Sequence, residues 1–214
     1  MDNEEKIDGR SLRQKNIYDE SRIKLINSAI KLLKDQNIDQ SKINVSLIAK
    51  NAGTSVATAY NHFPNNMVDV YGAIFNSTFQ STEVELVEYF KNVEDPKSRI
   101  NKFVELQAKS VINLGDAARY AFFNINEILS SGNWITKEPF DVLLSLCKEY
   151  VKEDKKIDAK MLALNTIRNF NGCLFMWMRY NSRSGFWSTF TDDWFLKETS
   201  LAFEQGIAVQ NLSQ

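Results

Sequence analysis

Val45-Ser-Leu-Ile-Ala-Lys-Asn-Ala-Gly-Thr-Ser-Val-Ala-Thr-Ala-Tyr-Asn-His-Phe63 reads as two short helices joined by a tight turn. Val45, Ile48, Ala49 and Ala52 recur at i, i+3, i+4 and i+7, which is one apolar helical stripe. Asn44 precedes the stripe and suits an N-cap, because its side chain accepts from an orphan N–H. Gly53 follows it, where a left-handed residue ends a helix without steric cost. Thr54 or Ser55 then caps a second helix, whose Ala59 and Phe63 face inward at i and i+4. Ala49 and Ala52 are small, so the two helices can cross closely. Helix, short turn with glycine, helix is the helix-turn-helix pattern, whose second helix enters the DNA major groove. The same outline fits any αα-corner, so the identities of the residues have to decide.

Those identities are specific. Ile48-Ala49, Ala52-Gly53, Ser55 and Thr58-x-Tyr60-x-His62-Phe63 resemble the DNA-binding signature of the TetR family of bacterial transcriptional regulators. Upstream, Leu25-Ile26-x-x-Ala29-x-x-Leu32-Leu33 looks like the first helix of that family. The resemblance covers residues 20–70. It implies that the helix from Ser55 to Phe63 is a recognition helix, with Val56, Ala57, Thr58, Tyr60 and Asn61 facing base edges or the groove. It also implies that Thr58, Tyr60 and His62 reach phosphates, as do Asn44 and Ser46 at the start of the preceding helix. Hydroxyls and helix N-termini bond phosphate oxygens, and an asparagine such as Asn61 can read adenine with two hydrogen bonds. Val56 and Ala57 offer apolar contact alone, and by periodicity Val56 also lies near the Phe63 face, where it would pack the core. This helix carries no charged residue, which points to shape readout in place of arginine-to-guanine contacts.

The chain departs from the family pattern in two places. The link from Asn37 to Asn44 is about two residues longer than usual, which lengthens a surface loop, and Asn37 stands at the left-handed position that glycine usually fills. After Phe63-Pro64, Asn66 replaces the lysine expected to contact phosphate; it can donate a hydrogen bond but brings no charge. His62 is the sole histidine, with no second histidine or carboxylate fixed beside it, so a phosphate contact or a polar helix end is expected over catalysis or metal binding.

Charge gathers on the same segment. Between Arg10 and Asn65 there are nine Lys/Arg against four acids, while the 214 residues together carry a net charge of −1. A local excess of this sign suits phosphate binding, although a solvated helix face would look the same. Hydrophobic residues make up 43% and charged residues 25%, with three Pro and eight Gly, which suits a soluble protein of long helices. No apolar run long enough for a membrane span and no signal peptide is present, so no membrane partner and a cytoplasmic location are expected. Cys147 and Cys173 read as reduced packing residues.

Taken in order, residues 1–15 read as a flexible N-terminal arm, whose Arg10, Arg13 and Lys15 could touch DNA, and residues 16–65 as a three-helix DNA-binding domain. Residues 66–214 read as a helical ligand-binding and dimerisation domain, giving an all-α chain of nine helices. Predicted helices start near Asp19, Val45, Ser55, Met67, Pro96, Asp116, Lys137, Asp158 and Asp192. The sixth runs to Gly132 and the ninth to Val209. Cys173-Leu174-Phe175-Met176-Trp177-Met178 is apolar all round its helix, so both of its sides need covering. In TetR-like proteins the last two helices pair with their twins, which predicts a homodimer through the eighth and ninth helices. Family resemblance also implies a small apolar or aromatic ligand in this domain; Phe103, Gln107, Phe123, Glu127, Phe170 and Trp177 are the candidate lining residues, with ordinary core packing as the competing explanation.

The expectation is therefore a DNA-binding repressor, released from a palindromic operator by its ligand, with no cofactor and no metal. The rival is a nucleoid-associated or interaction protein on the same fold without a ligand. An enzyme is not expected, because no nucleophile motif, glycine-rich phosphate loop or metal-ligand spacing appears.

Overall fold

Helix ends follow the capping residues. Asn44 Oδ1 accepts from the Leu47 N–H at 2.9 Å, Ser55 Oγ from Thr58 at 3.0 Å, Asp95 Oδ2 from Ser98 at 2.8 Å and Asp158 Oδ1 from Met161 at 2.7 Å. Each satisfies a first-turn donor that has no partner inside its own helix. In this computed structural model, which describes residues 9–130, 137–152, 156–181 and 188–212, those caps open four of eleven α-helices. The helices are α1 (Gly9–Lys34), α2 (Val45–Ala52), α3 (Val56–His62), α4 (Met67–Asn92), α5 (Pro96–Leu114), α6 (Asp116–Phe123), α7 (Ile125–Ser130), α8 (Lys137–Tyr150), α9 (Ala159–Tyr180), α10 (Asp192–Ser200) and α11 (Ala202–Leu212). No strand occurs among the described residues, so the all-α reading holds.

Eleven helices replace the nine predicted because two of those nine are broken. At Asn124 the side-chain Nδ2 donates to the Tyr120 carbonyl at 2.7 Å, separating α6 from α7. Before Leu201, two successive hydroxyls disturb the helix: Thr199 Oγ1 donates to Phe195 O at 2.7 Å, Ser200 Oγ donates to Lys197 O at 2.6 Å, and α10 gives way to α11. Hydroxyls that bond back to the preceding turn compete with the backbone and bend helices.

The first helix also starts earlier than expected, at Gly9, so residues 9–15 of the predicted arm are helical, while residues 1–8 lie outside the described residues. Between Ser11 and Glu20 there is no Gly or Pro to stop a helix, and Leu, Arg, Gln and Lys favour one. At its other end α1 stops at Lys34 because Asp35 Oδ1 takes the Asn37 N–H at 2.9 Å and its Nδ2 at 3.1 Å. Asn37 is thus held in an Asx turn and is not left-handed. Gly53 is left-handed as expected, with φ 66°, and among the described residues the non-glycine residue with positive φ is Asn66, at 57°.

Packing divides the chain into two compact units, and the division falls inside α4. The sequence places this boundary at residue 65; here the first unit also takes α4 as far as Phe75, together with α6 and α7. Its core comprises Leu25, Ala29, Leu33, Val45, Ile48, Ala49, Ala59, Phe63, Val70, Ile74, Ala117 and Ile128, all buried. The second unit runs from Asn76 to Gly115 and resumes with α8 to α11. Ile100, Phe103, Val104, Leu143, Cys147, Leu162 and Phe203 form its centre. Arg99 fastens the end of α4 there: Nε donates to Val93 O at 2.6 Å and Nη2 to Phe90 O at 2.9 Å. Both cysteines are free, and burial pushes the Cys147 thiol up to about 12, which leaves it protonated and inert. None of the described helices is long and apolar enough to cross a membrane.

Candidate nucleic-acid interface

The sequence of α3 sorts into two faces. Ala59, His62 and Phe63 are buried, whereas Val56, Ala57, Tyr60 and Asn61 are exposed. The exposed four fall at i, i+1, i+4 and i+5, a single strip along the helix. They are four of the five residues that the resemblance assigned to the groove, Thr58 being the fifth. Val56 is 44% exposed and Tyr60 40%, so the alternative that Val56 packs the core does not hold. This strip carries hydroxyl, amide and methyl groups and no formal charge.

Several of the remaining candidates have other duties. Ser55 Oγ caps α3 and sits 2.8 Å from Thr58 Oγ1, which leaves Thr58 half-buried. Asn44 caps α2 through Oδ1 while its Nδ2 donates to Lys42 O at 3.3 Å. Their backbone neighbourhood is what a phosphate would meet: helix geometry leaves the first N–H groups of α2 and α3 without intrahelical acceptors. Ser46, beside Asn44, is partly exposed in that first turn. Asn66 is exposed, but its left-handed backbone turns the chain between α3 and α4, with its N–H on Phe63 O at 3.0 Å. That turn is closed by Asp69, whose carboxylate accepts from Asn65 N at 2.7 Å and Nδ2 at 3.2 Å.

His62 differs most from its expected setting. It is 5% exposed and faces α1, where the Tyr18 ring lies 4.0 Å away between centroids and Ser21 Oγ is 2.6 Å from Nε2. Arg22 adds a second tie, donating from Nη1 to the His62 carbonyl at 3.2 Å with its guanidinium 5.3 Å from the Phe63 ring centre. A cation at the C-terminus of a helix suits the dipole there. Ser28 does for α2 what Ser21 and Arg22 do for α3, donating to Ile48 O at 2.9 Å with Asn51 Oδ1 at 3.1 Å. Sequence reading did not find Tyr18, Ser21, Arg22 or Ser28 in these roles. Ser21 and His62 stand 41 residues apart, and periodicity says nothing about such pairs.

The six candidate ligand-lining residues are divided between the two units. Phe123 and Glu127 are exposed on the first unit, and the other four belong to the second. Phe103 is part of the second unit's core, and Gln107 Nε2 donates to Thr82 Oγ1 at 3.0 Å. Trp177 stacks on Phe195 at 5.2 Å and donates from Nε1 to Asp192 at 2.9 Å, while Phe170 meets Phe195 edge-on at 5.8 Å. Core packing, the competing explanation, accounts for Phe103, Phe170 and Trp177 as they stand. Among the described residues no three His, Cys, Asp or Glu side chains come together in a way that could hold a metal ion. Comparison of the chain with known protein families, curated proteins and solved structures returned no match.

Proposed function

We propose that this chain is a dimeric, TetR-like transcriptional regulator that reads a palindromic DNA site with α3. The observation that carries the proposal is the sorting of α3: Val56, Ala57, Tyr60 and Asn61 are exposed together, and the opposite face is fixed to α1. A short helix held from behind, with an exposed strip of uncharged polar and apolar side chains in front, suits groove reading. Lys24 and Lys31 on α1 and Lys50 on α2 are exposed and would supply phosphate attraction.

The homodimer is proposed through α9 and its neighbour α11. Met161, Leu164 and Phe175 are all more than 40% exposed and fall on one row of α9 together with Gly172. Arg168, also exposed, shares that row, and a second copy would bury Met161, Leu164 and Phe175 around it in a two-fold interface. Release by a small apolar ligand completes the proposal; a thermal-shift screen that finds no stabilising compound would favour the nucleoid-associated alternative.

The deciding experiment is titration of fluorescent duplexes drawn from the region around the chain's own gene, over a range of salt. One short palindromic fragment should bind saturably. Tyr60→Ala and Asn61→Ala should each weaken that binding by about tenfold or more, as loss of a base or phosphate contact does. Both residues are exposed, so thermal stability should not move. Equal binding of every fragment, or binding indifferent to both substitutions, would overturn the proposal.

A further inference from the structure

The hydrogen bonds around His62 fix its proton. Ser21 Oγ donates to the Tyr18 carbonyl at 2.8 Å and is also 2.6 Å from His62 Nε2. A serine hydroxyl has one hydrogen to give. With that hydrogen on the Tyr18 carbonyl, Ser21 Oγ accepts from the ring, so Nε2 carries the imidazole proton. The other ring nitrogen, Nδ1, is then a bare lone pair, and it is buried with no hydrogen-bond partner. The neutral ring fits this site, covered by Tyr18 on one side and close to Phe63.

The charged ring does not. A proton on Nδ1 would create a buried N–H without an acceptor, which is costly. It would also place a cation beside Arg22, whose guanidinium is already engaged with the His62 carbonyl and the Phe63 ring. The other charged group facing the ring from α1 is Asp19. From α2, the further element packed on α3, Lys50 is the one ionisable side chain and it is exposed; Asp69 of α4 is turned to Asn65. Burial, and then Arg22, hold the imidazole below its ordinary value of 6.5, with Asp19 opposing them.

We propose that His62 is a proton-controlled anchor of α3: neutral, it holds the helix on α1 through Ser21, and protonated, it lets the last turn of α3 come away. The consequence for Tyr60 and Asn61, which lie in that turn, rests on the DNA-binding reading above; the anchor itself does not. An opened α3 exposes the imidazole, which then takes up a proton near its ordinary value, whereas the closed form resists it until lower pH. The opened form therefore binds more protons, and the closed form is fully favoured above that ordinary value and loses favour as pH falls below it. Each pH unit separating the two values changes the open population by about tenfold.

Because the sequence holds one histidine, its imidazole signal in an NMR titration has a single assignment. The test pairs that titration with hydrogen-exchange protection of the α3 amides at about pH 7.5 and about pH 5.5. His62→Gln is the control, since its amide can donate to Ser21 and never ionises. Wild type should titrate below the ordinary value and lose α3 protection roughly tenfold at the lower pH, with α9 unchanged. The glutamine variant should be flat. Ser21→Ala, which leaves Nε2–H without its acceptor, should open α3 at both pH values. Titration at or above the ordinary value, or equal pH response in wild type and His62→Gln, would overturn the anchor. Measured on the same fragments as above, DNA affinity should fall over the same interval in wild type alone. An α3 that opens while DNA affinity stays constant would overturn that consequence. An α3 that opens in a protein that binds no fragment at either pH would uphold the anchor and refute the DNA-binding reading.

Discussion

A methyl group added at Gly172 tests the proposed dimer face directly. An alanine Cβ built at Gly172 meets nothing within 4 Å, whereas one built at Gly206 comes 3.1 Å from Thr166 Oγ1 and 3.4 Å from both Leu162 Cδ1 and the Thr166 backbone nitrogen. Inside a helix, glycine is about 1 kcal/mol less favourable than alanine. Gly172→Ala should therefore stabilise the single chain by about 1 kcal/mol, or about 2–4 °C in Tm for a chain of this length. Gly206→Ala gains the same propensity but loses more. Thr166 Oγ1 is bound to the Leu162 carbonyl at 2.8 Å and the other close atom is backbone, so α11 has to move away from α9. Overpacking of that kind costs about 1–3 kcal/mol, which leaves Gly206→Ala neutral to destabilising by about 2 kcal/mol. The proposed dimer would close the space at Gly172. With a second copy against the row of Met161, Leu164 and Phe175, a methyl at 172 stands in the interface and should raise the dimer dissociation constant about five- to hundredfold. Sedimentation over a concentration series measures the dissociation, and urea unfolding at the lowest concentration measures the single chain. A Gly172→Ala variant that unfolds more easily at low concentration would refute the Cβ reasoning. One that is more stable yet dimerises as wild type does would remove α9 from the interface.

Other substitutions probe the rest of the frame. Phe195→Ala empties a fully buried site between Trp177 and Phe170 and should cost about 3–5 kcal/mol in denaturant unfolding, with a red shift of tryptophan emission. A loss below about 1 kcal/mol would mean that the aromatic stack is not part of the core. Asn44→Ala removes the acceptor for the Leu47 N–H and should cost about 1 kcal/mol, with Asn44→Asp restoring most of it. Equal losses for both would show that the cap is not the source of the effect.

Elements governed by local chemistry were legible in the sequence. Asn44, Ser55, Asp95 and Asp158 announce their helices because a cap bonds within three residues, and Gly53 announces its turn because the left-handed backbone suits glycine. The breaks at Asn124 and Leu201 were missed although their causes are also local. Asparagine, threonine and serine can bond back to the helix or point away, and packing chooses between them. The early start of α1 was missed because its exposed turns bury no apolar stripe and rest on propensity alone. At the candidate interface, the outward strip of α3 could be read from the resemblance, but the support behind it could not. His62 reads as an outward polar residue until α1 is folded against it, since Ser21 and Arg22 meet it only through tertiary structure. For the ligand candidates, a helical period marks apolar residues without saying whether they border a space or fill it.

In the proposed function, the uncharged front of α3 would separate two properties that DNA-binding proteins often couple. Ionic strength acts on contacts between fixed charges and phosphates, and any such contacts here come from side chains outside the strip of Val56, Ala57, Tyr60 and Asn61. If that strip does the reading, added salt should lower occupancy of all sites by a common factor and leave the ranking among them intact. A cell under osmotic stress would then adjust how much of the protein sits on DNA without changing which sites it prefers.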